Sequence, residues 1–202
     1  MLPLAGAKET GKPVPQMGPV IFNTKRLIGH HLLASDVPAL HEVYGDADAM
    51  RWVGDGQPLT REDCKRWVEV TAGNYRSRGY GMSAIVEHES NRVVGFCGLV
   101  HPDNQPEAEL KYAFGRSSWG RGYATEAARA MLAYAHGVVG LSRVIATVYP
   151  ENLPSRRVLL KAGLKHASSL SAGDGRVVLY FVSEAATHGD ETMPGDAMRR
   201  GA

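Results

Sequence analysis

The sequence ELKYAFGRSSWGRGYATEAARAMLAYA, residues 109–135, decides how the rest of the chain is read. It divides into a strand, a short loop closed by a glycine-rich turn, and an amphipathic helix. Gly120, Gly122 and Ala124 leave the backbone nearly bare where residues 123–126 begin that helix. The first N–H groups of a helix lack intrahelical partners and lie at the positive end of its dipole. A bare turn at that point lets an anion approach the backbone, and phosphate is the natural guest. Further along the helix, Ala127, Ala128, Met131, Leu132 and Ala135 share one face, small enough to pack closely on a sheet.

Upstream of this stretch, GMSAIVEH (81–88) and RVVGFCGLV (92–100) read as two strands of an antiparallel hairpin turning at residues 89–91. Thr60, followed by Glu62 and Asp63, opens a helix running through Arg78, with Cys64, Trp67, Val68 and Thr71 at helical spacing. Ser35 and Asp36 offer caps for a helix over VPALHEVYG (37–45), with Pro38 in the first turn, where proline is tolerated. TKRLIGHHLL (24–33) reads as the first strand. Downstream come a strand, SRVIATVY (142–149), and a helix, NLPSRRVLLKAG (152–163), ended by Gly163. LKHASSL and RVVLYFV close the chain as a hairpin around residues 173–175. The strand–helix–strand unit over 107–149 predicts a right-handed parallel crossover, and the remaining strands read as antiparallel. The expected fold class is α+β (mixed α/β): a central mixed, mostly antiparallel sheet flanked by helices, with one parallel unit at the anion site.

The chain has 202 residues, 44% hydrophobic and 22% charged, which fits one soluble domain or at most two. A formal net charge of +2 is too near neutral to mark a nucleic-acid surface, so no nucleic-acid partner is expected. No apolar run reaches the roughly 18 residues of a membrane span, so none is expected. The start, MLPLAGAKETGK, lacks the basic segment and apolar core of a signal peptide. Cys64 and Cys97 lie far apart without metal-ligand spacing, so the expectation is a reduced, cytoplasmic protein that binds no metal. Residues 1–20 hold four prolines and no apolar period, and the polar stretch 185–202 is equally aperiodic. Both are expected to be flexible segments flanking a single domain over 21–184.

The turn Gly120-Arg121-Gly122-Tyr123-Ala124-Thr125 matches G-x-G-x-x-G only in part. A dinucleotide site also wants an acidic residue about 20 positions on, and residues 127–150 contain none. The Gly-Lys-Ser/Thr of a P-loop is missing as well. NAD and nucleoside triphosphates are therefore disfavoured.

In these features the chain resembles the GNAT-type N-acetyltransferases, and in particular the branch of the RimJ/RimL ribosomal-protein N-terminal acetyltransferases. The resemblance rests on Thr24-Lys25-Arg26-Leu27, Val94-Gly95-Phe96-Cys97-Gly98, Trp119-Gly120-Arg121-Gly122-Tyr123-Ala124-Thr125-Glu126-Ala127, Gly140-Leu141-Ser142-Arg143-Val144 and the run from Asn152 to Leu164. It covers residues 22–183 and implies a fold that binds acetyl-CoA as cosubstrate and transfers the acetyl group to a primary amine.

Carried over residue by residue, the resemblance puts the pyrophosphate on backbone N–H groups of Gly120, Arg121, Gly122, Tyr123, Ala124 and Thr125, beside Trp119. The strand through Leu110, Tyr112 and Phe114 would hold the pantetheine arm by its backbone, as an added pseudo-strand at a splayed edge. A strand N–H, at Tyr112 or a neighbour, would polarise the thioester carbonyl. Asn152 would bond the pantetheine arm, with Ser155, Arg156 and Lys161 near the coenzyme's outer end. Glu126 reads as a helix-dipole residue.

Many members of the superfamily place a tyrosine acid seven residues after the helix asparagine, and here that position is Leu159. Glu109, at an acidic position common in the branch, is the first candidate base, with Glu107 and His101 behind it. The direction of Tyr149 is open. The segment from Trp52 to Arg78 corresponds to the helix–loop–helix that covers the amine acceptor, and Asp46, Asp48, Asp55, Glu62 and Asp63 in and before it make it acidic, which suits a cationic amine. The acceptor that the resemblance implies is a protein N-terminal α-amine or a small-molecule amine, and a homodimer stays open. Two other classes remain: a catalytically degenerate acyl-CoA sensor, and a non-enzymatic interaction module whose glycine turn is only structural.

Overall fold

The computed structural model describes residues 17–171 and 176–186. Eight strands form one sheet: β1 (Val20–Asn23), β2 (Leu27–His31), β3 (Met82–Glu87), β4 (Arg92–Val100), β5 (Glu109–Phe114), β6 (Arg143–Val148), β7 (Lys165–Ser171) and β8 (Val177–Glu184). Their spatial order is β1-β2-β3-β4-β5-β6-β8-β7. Every neighbouring pair is antiparallel except β5 and β6, which run parallel and share one partnered position, Glu109 with Ile145. The five α-helices are α1 (Val37–Tyr44), α2 (Ala47–Met50), α3 (Arg61–Arg78), α4 (Tyr123–Tyr134) and α5 (Leu153–Ala162). This is the expected mixed sheet flanked by helices.

The two faces of the sheet carry separate cores. On one, Ala127, Ala128, Met131 and Leu132 of α4 and Leu159 of α5 pack against Leu110 and Phe114 of β5 and Val144, Ala146 and Val148 of β6. On the other, Leu40 and Tyr44 of α1 and Cys64 and Val68 of α3 pack against Met82, Ala84, Phe96 and Ala113. Both cysteines are buried and free. Leu40 is fully enclosed, so truncating it to alanine should cost about 2–5 kcal/mol.

Local chemistry explains the element ends. Thr60 and Asp63 form a reciprocal capping box at the start of α3, and Gly79, at φ 80°, ends it in the left-handed conformation. Asn152 caps α5 and Gly163, at φ 107°, closes it. Three features were not anticipated. A strand, β1, precedes the expected first one. Its Phe22 is paired with Gly29, and the Phe22 ring lies where a Cβ on Gly29 would meet it at 2.5 Å. The four-residue helix α2 depends on Asp46, whose side chain accepts from the backbone of Asp48 and Ala49. Past Tyr134, α4 widens into a π-type turn over Ala135–Val139, closed by Gly140. The expectations for residues 1–16, 172–175 and 187–202 lie outside the described residues, in which no helix is long and apolar enough to cross a membrane.

Candidate active site: a forked strand pair beside a helix start

The site begins with the hydrogen-bond parity of β5. Gly115 N–H donates to Val94 O at 3.1 Å, and the β4–β5 register runs without a shift from Gly95–Phe114 to Val100–Glu109. Antiparallel bonding alternates, so residues 109, 111 and 113 bond to β4, while 110, 112 and 114 turn their N–H and C=O groups toward β6. At the closed end of the parallel pair, Ile145 N–H reaches Ala108 O at 2.9 Å. A regular ladder would next join Thr147 N–H to Leu110 O. Instead Thr147 N–H donates to Glu109 Oε1 at 3.0 Å. Thr147 Oγ1 and Lys111 Nζ bond the same oxygen, and Oε2 takes Gln105 Nε2 at 3.2 Å. Glu109, 2% exposed, is thus a side-chain wedge at the point where the two strands part. The fork that opens beyond it leaves the backbone edge of Tyr112 and Phe114 facing the gap. Phe114 O receives Trp119 Nε1 at 2.7 Å.

The glycine turn lies at the far end of this edge. Gly120 and Gly122 have φ of 73° and 79°, and Gly122 is the N-cap of α4. The first helical bond runs from Glu126 N–H to Gly122 O. The N–H groups of Gly120, Arg121, Gly122, Tyr123, Ala124 and Thr125 take no partner from the described residues. Six consecutive donors at the positive end of a helix suit a diphosphate better than a single charge. Tyr123 is buried and donates its hydroxyl to Glu87, which also pairs with Arg121 at 2.8 Å. Hydrogen bonds from Ser90 and Tyr123 hold the Glu87 carboxyl below the ordinary glutamate range.

The start of α5 forms the third wall. Asn152 Oδ1 accepts Ser155 N–H at 3.2 Å, and Arg156 Nη1 donates to Pro150 O at 3.1 Å. Tyr112 OH and Ser155 Oγ are 2.7 Å apart, and burial pushes the Tyr112 phenol up. Leu159 is buried and offers no acid.

Strand alternation sorts the remaining candidates. Even residues of β5 and β6 face α4 and α5, so Glu109, Lys111, Thr147 and, past the strand end, Tyr149 face the opposite side, that of α1 and α3. There the Tyr149 ring lies 6.0 Å from that of Trp52, at a cavity of about 390 Å³ also lined by Pro150, Glu151, Arg176 and Val177. His101 has both nitrogens engaged: Nδ1 lies 2.8 Å from Gln105 O and Nε2 lies 2.7 Å from Tyr80 OH. Glu107 lies at the surface, 3.8 Å from Arg143. The acidic residues ahead of and along α3 are tied up locally. Asp46 and Asp48 bind Arg116, Asp55 accepts Gln57 N–H, Glu62 pairs with Lys65, and Asp63 with Thr60 and Arg66. They do not line the cavity; its charged residues are Glu151 and Arg176, which sequence position did not single out.

Comparison with known proteins places this geometry. Residues 26–165 match the model of an acetyltransferase (GNAT) domain. The uncharacterized N-acetyltransferase YnaD of Bacillus subtilis (strain 168) is 30% identical over 144 residues, 71% of this chain and 82% of YnaD. A GNAT-family acetyltransferase structure from Bacillus anthracis superposes with a TM-score of 0.69 at 27% identity, over 80% of this chain and 96% of that one. RimL, the ribosomal L7/L12 α-N-protein acetyltransferase, in complex with coenzyme A, shares the fold with a TM-score of 0.69 at 21% identity, over 83% and 98% of the two chains.

Proposed function

Since the chain belongs to the GNAT acetyltransferase family and is an N-acetyltransferase, we propose that it transfers the acetyl group of acetyl-CoA directly to a primary amine within a ternary complex. The observation that carries this reading is the continuity of two backbone stretches whose N–H groups face the gap without a partner among the described residues. The β5 edge at Tyr112 and Phe114 leads toward the row of free N–H groups at Gly120–Thr125, as an extended pantetheine arm and its pyrophosphate require.

Acetyl-CoA supplies an activated acetyl thioester. The chain's own residues divide the remaining work. The backbone N–H of Tyr112, or a neighbour on the same edge, meets the negative charge that develops on the carbonyl oxygen. Asn152 and Ser155 line the coenzyme side at α5, with Arg156 and Trp119 flanking it. The Ser155–Tyr112 hydroxyl pair is the proton source on that side, where position 159 is apolar. Glu109 holds the fork open through Oε1, and Oε2, with a single donor from Gln105, is the oxygen that takes up a proton from the amine through water. The amine approaches from the α1–α3 side, past Trp52 and Tyr149.

Magnitudes favour an α-amine acceptor. A lysine-type amine, with pKa about 10.4, is only about one part in a thousand neutral near pH 7.4. An α-amine, with pKa about 7.7–8, is roughly a quarter neutral there and needs little more than positioning and a water relay. The local pairing of the acidic residues near α3 points the same way, because Asp46, Asp48, Glu62 and Asp63 already have cationic partners of their own. Incubation of the protein and acetyl-CoA with a panel of N-terminal peptides and small amines, read by free thiol, tests this. Thiol release with α-amine acceptors is expected. No release with any amine, together with acetyl-CoA binding, would leave a coenzyme sensor in its place.

A further inference from the structure

We propose that Arg26, which lies outside the glycine turn in sequence, presets the backbone of that turn and is a positioning residue for the coenzyme. The proposal rests on the acetyl-CoA reading above. Arg26 sits just before β2, and its guanidinium bridges two acceptors. Nε and Nη2 bind Glu126 Oε2 at 2.7 and 2.6 Å, and Nη1 donates to the backbone carbonyl of Arg121 at 2.8 Å. The anchor is itself anchored. Glu126 Oε1 accepts the backbone N–H of Arg26 at 3.0 Å and the Thr24 hydroxyl at 2.7 Å.

The consequence follows from the geometry of one peptide. The structure has no cis bond among the described residues, so the Arg121 C=O and the Gly122 N–H point in opposite directions. A guanidinium holding the carbonyl on its own side turns the Gly122 N–H to the other side. If that peptide flipped, a carbonyl oxygen would replace a donor in the row and repel a phosphate. A flip is otherwise cheap here, because Gly120 and Gly122 flank the segment and carry no Cβ to resist rotation. Arg26 therefore supplies a constraint that the glycines cannot. Its guanidinium also lies 4.7 Å from the centre of the Tyr123 ring, as does that of Arg121, which fixes the first residue of α4 against the same group. A lysine keeps the charge but cannot bind a carboxylate and a carbonyl at once with a planar fork.

The test compares Arg26→Lys, Arg26→Gln and Glu126→Gln with the unmodified protein. The readouts are acetyl-CoA binding by calorimetry, steady-state kinetics, thermal unfolding and the Gly122 amide resonance. Both Arg26 variants are expected to weaken acetyl-CoA binding by about 10- to 100-fold, the scale of one charged hydrogen bond, and to raise KM for acetyl-CoA with kcat within about two-fold. The Gly122 amide should shift in both, even without ligand. Glu126→Gln, which keeps Arg26 but loosens its anchor, should fall between, and it carries the test if the Arg26 variants do not fold. Restored binding in Arg26→Lys would reduce Arg26 to a charge and overturn the proposal. So would variants that lose thermal stability yet bind as the unmodified protein does. Failure of the unmodified protein to bind acetyl-CoA would instead overturn the coenzyme reading, and the proposal with it.

Discussion

Glu109 Oε1 accepts the backbone N–H of Thr147 at 3.0 Å, the position that Leu110 O would fill if β5 and β6 continued as a regular parallel pair. One carboxylate thus replaces a ladder bond and lets the two strands diverge. Lys111 and Thr147 Oγ1 on the same oxygen compensate its charge in a site 2% exposed. The fork is built by a side chain rather than left by a gap in packing.

Replacing Glu109 with alanine should therefore act on both stability and binding. It leaves Thr147 N–H without its acceptor and Lys111 without its counter-charge, at a cost of about 1–3 kcal/mol, and acetyl-CoA binding should weaken with it. Urea unfolding and calorimetry measure the two effects, and an unchanged midpoint with unchanged affinity would remove Glu109 as the wedge. Glu109→Gln, which keeps the shape, isolates the chemical role: turnover and its pH profile unaltered in this variant would remove Glu109 as base.

The glycine turn makes a prediction about backbone strain. Gly120 and Gly122 sit at φ of 73° and 79°, and a Cβ on Gly120 would meet nothing within 4 Å. Gly120→Ala and Gly122→Ala should each cost about 1–2 kcal/mol through φ alone and weaken acetyl-CoA binding. Gly137 serves as the control, since it lies in a helical turn with open space around it. Alanine there should stabilise by roughly 0.5–1 kcal/mol and leave binding unchanged. Thermal unfolding that ranks the three alike would contradict this account.

Much of the chain was legible from local chemistry. The ends of α3 follow from Thr60, Asp63 and Gly79, and the β3–β4 hairpin from its apolar runs and short turn. What escaped depends on contacts distant in sequence. The short strand β1 exists through its pairing with β2, with the Phe22 ring over Gly29, and α2 starts at one aspartate cap. Glu109 was legible as a residue of interest, but its role as wedge needed the register of β4, β5 and β6. The direction of Tyr149 follows from strand parity, which no single residue announces. Arg26 was legible as part of Thr24-Lys25-Arg26-Leu27, yet its bond to the Arg121 carbonyl spans 95 positions and has no local signature.

Glu126 gives the fold a defined acid response. Burial by itself would raise its carboxyl, but hydrogen bonds from Thr24 and Arg26 outweigh that and hold it below the ordinary glutamate range. A depressed carboxylate contributes stability above its unfolded value, near ~4.3, and loses it as pH falls through the lower folded value. The stability gap between the unmodified protein and Glu126→Gln should be constant from pH 7 to about 5 and shrink below about 4. An equal gap at pH 3 and pH 7 in urea unfolding would contradict the network as drawn.

The Tyr112 phenol, pushed up by burial, should stay protonated through the usual assay range. Tyr112→Phe and Ser155→Ala should each lower kcat while leaving acetyl-CoA affinity within a few-fold, because the coenzyme contact proposed for Tyr112 is through its backbone rather than its ring. A double variant no worse than either single one would mark the pair as one unit. Full turnover in both single variants would move the proton source elsewhere.

Coenzyme A is proposed to lie along the β5 edge with its pyrophosphate on the turn before α4. Titrating the isotope-labelled protein with coenzyme A and following its backbone amides tests this residue by residue. The largest shifts are predicted at Tyr112, Phe114 and the consecutive amides from Gly120 to Thr125. Saturable binding that leaves those amides unmoved, with the shifts concentrated on another surface, would contradict it.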